Sequence, residues 1–138
     1  MANDIDSIVS GERTIEMKHP GNGALLGIRV SIMSITDPRM KKIRRQITDE
    51  RLRLEARGKN FKADDIEDNR NKVTFSAMTG WEWYGKNADG EQITFRGTVP
   101  EFNRKNVYDV FDSKEWFRDQ IDEEIGQEKD FFEVSPEI

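Results

Sequence analysis

The spacing of hydrophobic positions switches between period two and period 3.6 along the chain. Thr14-Ile15-Glu16-Met17-Lys18 alternates polar and apolar, and 27–33 alternates again with Ile28, Val30 and Ile32 on one face. That is the pattern of two half-buried strands. Between them His19-Pro20-Gly21-Asn22-Gly23 is a turn sequence: proline fixes φ, while glycine and asparagine accept positive φ. The two strands form an N-terminal β-hairpin. Such a hairpin is marginal alone, so it requires a packing partner.

From Thr36 the period becomes helical. Thr36 or Asp37 supplies an N-cap, Pro38 occupies the first turn, and Gly58 stops a helix that runs to about Arg57. Its apolar stripe, Met40, Ile43, Ile47 and Leu54 with Leu52 beside it, is narrow. A second helix starts near Phe61, with Asp64 and Asp65 in its first turn, where the helix dipole favours acid groups. Ile66, Val73 and Ala77 share a face that Phe75 and Met78 broaden, and the helix ends near Thr79-Gly80. Next, 81–84 and 91–95 read as a short second hairpin turned at Asp89-Gly90. Asn103 caps a short helix to about Phe111, with Val107, Val110 and Phe111 inward. Ser113 starts a last helix to about Gln127, with Phe117, Ile121 and Ile125 spaced i, i+4, i+8. The fold expected is α+β: a mostly helical single domain over 11–132, with about four helices and two hairpins. Flexible ends are expected at 1–10 and 133–138.

A chain of 138 residues, 35% hydrophobic and 36% charged, is long enough for one core beneath a heavily charged surface. It contains no cysteine, which excludes disulfides, thiolate metal sites and cysteine catalysis. No apolar run reaches the ~18–20 residues needed to cross a bilayer, and the N-terminus has no secretory pattern. A cytoplasmic location is expected. The net charge of −5 hides an asymmetry. The stretch 37–59 carries about nine basic and four acidic residues, and 109–138 carries about eleven acidic and three basic. Two such segments either pair internally or face different partners.

Candidate chemistry is sparse. His19, the single histidine, sits in the turn and has no visible catalytic partner. Asp64, Asp65, Glu67 and Asp68 are dense enough to suggest metal carboxylates, but they lack EF-hand spacing and read better as helix-start charge. Gly21-Asn22-Gly23 lacks the G-K-[ST] of a phosphate loop. No enzyme, metal or cofactor is therefore expected. The basic helix, with Arg44 and Arg45 at its centre, is the best nucleic-acid signal, yet no recognised motif accompanies it in this acidic chain. Trp81 and Trp83 fall on one strand face, with Glu82 and Tyr84 opposite, and suit either a core or an interface. Phe131-Phe132 either tucks into the core or docks on a partner.

The order of certain segments carries a resemblance. Met78-Thr79-Gly80-Trp81-Glu82 ends a helix in a Gly-Trp step, and a polar turn follows. Phe102-Asn103-Arg104-Lys105-Asn106-Val107 then opens a helix, and Trp116 to Gln120-Ile121 forms the core of the last one. Over roughly 28–132 this resembles the small tail assembly chaperones of long-tailed bacteriophages. The resemblance implies a non-enzymatic protein of the host cytoplasm that keeps the tape-measure protein soluble. It implies the tail tube protein as a second partner and leaves self-association open. An amphipathic groove rimmed by charge suits a helical partner. Trp81, Trp83, Phe95, Phe117, Phe131 and Phe132 are then candidate apolar contacts, and Arg44 and Arg45 candidate rim charges. A virion connector or tail-completion protein is the alternative, and a nucleic-acid-binding regulator the lesser one.

Overall fold

The computed structural model describes residues 4–58 and 62–132. The expected flexible end at 133–138 and the expected helix start at Phe61 lie outside the described residues. Near the N-terminus a 3-10 turn occupies Ile5–Ser7, within the stretch expected to be flexible.

The hairpin consists of β1 (Arg13–Lys18) and β2 (Leu25–Ile32), paired antiparallel with Arg13 opposite Ile32 and Ile15 opposite Val30. In its turn the His19 Nδ1 accepts hydrogen bonds from the backbone N–H groups of Gly21 (3.0 Å) and Asn22 (3.3 Å). The lone histidine is therefore part of the turn. Ile15, Met17, Ile28, Val30 and Ile32 are all buried, as the alternation requires.

Two helices follow. α1 (Pro38–Ala56) is capped by Asp37, whose side chain accepts from the Arg39 N–H, and it ends before Gly58 at φ +72°. α2 (Ala63–Ala77) starts with the Asp65 carboxylate accepting from the Lys62 N–H at 3.0 Å. It ends earlier than its apolar pattern suggests and passes without a loop into β3 (Met78–Trp83). The Met33 N–H donates to the Ala77 carbonyl at 2.8 Å, which ties this junction to the end of β2.

The partner of β3 differs from the expected one. It pairs antiparallel with β2, placing Trp81 opposite Val30 and Trp83 opposite Ile28, so the sheet runs β1-β2-β3. Of the expected second hairpin there remain the isolated bridges Lys86–Gln92 and Phe95–Thr98. The reason is twofold. The open edge of β2 offers a ladder whose inner face buries both tryptophans, while the 85–93 segment satisfies itself locally. Asn87 Oδ1 accepts from the N–H groups of Asp89 and Glu91, and Gln92 Nε2 donates to the Trp83 carbonyl.

α3 (Arg104–Ser113) is capped by Asn103, which accepts from the Asn106 N–H at 2.9 Å. α4 (Glu115–Ile125) begins at Lys114 rather than at Ser113, and a 3-10 turn, Glu128–Phe131, follows it. Val107, Val110, Phe111, Phe117, Ile121 and Ile125 cover the inner sheet face and form one core with it. Thus four helices and a three-stranded antiparallel sheet make an α+β fold.

Candidate partner-binding groove

Most of the aromatic side chains singled out from the sequence meet inside the protein. Trp81 and Trp83 lie edge to face at 5.4 Å between ring centroids, and both approach Phe117, at 6.3 and 6.5 Å. Phe117 is buried, Trp81 and Trp83 are half-buried, and the Trp81 indole N–H donates to the Pro100 carbonyl at 3.0 Å. Phe95 is half-buried against the same core. Phe131 is buried beneath the Arg13 guanidinium, and its carbonyl accepts from the Gly11 N–H at 2.7 Å. Phe132 beside it is half-buried. Arg44 and Arg45 are exposed on α1, apart from this aromatic cluster.

The largest apolar concavity lies elsewhere, between α1, α2 and α4. It is an open groove of about 510 Å³ lined by Ile35, Ile47, Ile66, Val73 and Ile125, with Arg51, Arg70 and Asp122 at its polar margins. Its origin lies in the narrow stripe of α1. Only Met40 of that helix is buried. Ile43, Ile47 and Leu54 are half-exposed, and Leu52 remains 57% exposed. The first turn of α1 is anchored beside the sheet, and the rest of the helix packs mainly on α2. Ile66, on the facing part of α2, is 52% exposed. Each of these residues fits a helix-face pattern, so periodicity gave no sign that the faces stop short of closing. The narrowness of the α1 stripe was the one visible signal.

A polar network fixes the α2–α4 wall. Arg118, 1% exposed, donates to Asn71 Oδ1 at 2.9 Å and to the Glu67 carboxylate, while Asn71 Nδ2 donates to Asp112 on α3 at 3.0 Å. Burial opposes the charge on Arg118, but the hydrogen bond to Glu67 and nearby Asp119 and Asp122 hold its pKa above the ordinary arginine value. The same hydrogen bond holds the Glu67 carboxyl below its usual range. Arg70 reaches Asp119 (3.2 Å) and Asp122 (3.4 Å), and Asp122 also accepts from the Thr74 hydroxyl. Sequence reading missed this network, because a single arginine within an acidic helix carries no periodic signal.

These pairs also settle how the two charged segments are used. The acids of α4 are matched by Arg13, Arg70 and Arg118. Among the described residues, Lys41, Lys42, Arg44, Arg45, Arg53 and Arg57 form no ion pair.

Among the described residues there is no group of three or more His, Asp or Glu side chains placed to hold a metal ion, and no helix long and apolar enough to cross a membrane. The side chain of Asp64 lies outside the described residues. No protein-family model, curated protein or solved structure matches the chain.

Proposed function

We propose that the protein is a tail assembly chaperone of a long-tailed phage, acting in the host cytoplasm without catalysis. Its primary partner is the tape-measure protein, and the tail tube protein is a second one. The observation that carries this reading is the open aliphatic groove between α1, α2 and α4, with Ile47, Ile66 and Val73 left partly exposed on its helical walls. Aliphatic walls between helices suit the apolar face of an amphipathic helix. A tape-measure protein is a long chain of such helices, with apolar faces that need cover before the tail closes around them. The likeness of 78–82, 102–107 and 116–121 to this chaperone family points the same way.

Co-expression with the tape-measure protein of the same phage, followed by affinity capture, tests the proposal. The expected result is a larger soluble fraction of tape measure that co-elutes with this protein. An insoluble tape measure with nothing co-eluting would overturn it. Recovery of the protein in purified particles would favour a virion connector or tail-completion role.

A further inference from the structure

The chemistry of the groove's occupant follows from the charges beside it. Lys41, Arg44, Ile47 and Arg51 follow one another at i, i+3 spacing and the short step on to i+4, so they run as one row along α1. Ile47 and Arg51 line the groove, and Arg44, three residues before Ile47, stands at its lip. Lys41 and Arg44 have no intramolecular counter-charge among the described residues, whereas on the opposite wall Asp122 is already matched by Arg70. The groove is thus apolar at its floor and carries uncompensated positive charge along the α1 lip. Facing aliphatic walls offer no aromatic surface on which a nucleobase could stack. The floor therefore calls for a protein side-chain face and the lip for carboxylates.

We propose that the groove binds an amphipathic helix whose apolar face is flanked by aspartate or glutamate, with the acidic flank laid along Lys41 and Arg44. This rests on the chaperone reading for the identity of the partner but not for its chemistry. Apolar contact then holds the helix, while the charge on the lip selects it and steers its approach.

The test uses two synthetic helical peptides of about 20 residues. Both carry leucine at i, i+3, i+4 and i+7, one with glutamate flanks and the other with lysine flanks, and binding is measured by fluorescence anisotropy to the full chain. The glutamate peptide is expected to bind at least about tenfold tighter. Ile66→Asp should abolish that binding. The double variant Lys41→Glu with Arg44→Glu should bring the two peptides to parity, while Lys105→Glu on α3 should leave the preference intact. Equal binding of both peptides to the unaltered protein would overturn the charge inference and leave the groove as a chaperone site. If neither peptide binds while the tape measure still co-elutes, the groove assignment fails and the chaperone reading survives. If the glutamate peptide binds but the tape measure does not co-elute, the inference stands and the chaperone reading fails. Displacement of the peptide by duplex DNA, with Ile66→Asp without effect, would overturn the inference in favour of phosphate binding.

Discussion

At the scale of single residues, Asp37 carries more than its position in the sequence suggests. It is 3% exposed, and its carboxylate accepts from the Arg39 N–H (2.9 Å), the Arg39 guanidinium (3.0 Å) and the Ser10 hydroxyl (3.1 Å). One side chain thus caps α1 and ties the N-terminal segment to it. Asp37→Ala is expected to cost about 1–2 kcal/mol, read as a shift of the urea midpoint with an unchanged slope. The Arg39 hydrogen bond holds the Asp37 carboxyl below the ordinary aspartate value. A group with a depressed folded pKa contributes stability that is present above its unfolded pKa, about 4, and is lost as pH falls through the folded value. The stability difference between the protein and Asp37→Asn should therefore be flat from pH 7 to 5 and shrink below about pH 4. A difference that persists unchanged at pH 2 would show that the charge on Asp37 is not what stabilises it. Arg118 makes the complementary case. Arg118→Met leaves Glu67 and Asn71 without their shared donor, and is expected to cost about 3–5 kcal/mol in chemical denaturation. Arg118→Lys should recover little of it, because one ammonium cannot reproduce the planar fork.

At the scale of elements, the start of β2 and the end of β3 are held by a crossing of two glycines. Gly27 sits at φ +80°, and a Cβ there would lie 2.2 Å from the Gly85 Cα. The N–H groups of Tyr84 and Gly85 both donate to the Gly27 carbonyl, at 2.8 and 2.9 Å. A side chain at either position forces two backbones apart, so Gly85→Ala should loosen β3 from β2 and raise amide exchange of 81–84 selectively. An unchanged exchange pattern would mean that the crossing is not what holds the strand. That contact links positions far apart in sequence, which explains why β3 was paired with the wrong neighbour on local evidence alone. Features set within a few residues were legible: the Asp37 and Asn103 caps, the His19 turn, the stop at Gly58 and the inward faces of β1, β2, α3 and α4. Features set by distant approach were not. They include the partner of β3, the Arg118 network, and the failure of the α1, α2 and α4 faces to close over Ile47 and Ile66. Apolar spacing shows which side of a helix is hydrophobic, but not whether another element arrives to cover it.

At the scale of the whole molecule, the fold separates the residues that hold it together from those open to a partner. Phe117 is 2% exposed and touches Trp81, Trp83, Phe111 and Trp116, so it joins the sheet to α3 and α4. Ile66 stands half in solvent at the groove and lies outside that core. The two therefore have opposite signatures. Phe117→Ala should cost about 3–5 kcal/mol, lowering the thermal midpoint and reducing partner capture only in proportion to the folded fraction lost. Ile66→Asp removes an apolar group that is already half-hydrated. It should leave the thermal midpoint within the effect of about 0.5 kcal/mol while greatly reducing capture of the tape-measure protein. Capture at a temperature where both variants are folded distinguishes the two. If Phe117→Ala then captures as well as the unaltered protein and Ile66→Asp does not, the aromatic cluster is scaffold and the groove is the working surface. If the folded Phe117→Ala protein loses capture and Ile66→Asp keeps it, the aromatic cluster must open to meet its partner, and the chaperone would act through its core rather than through the groove.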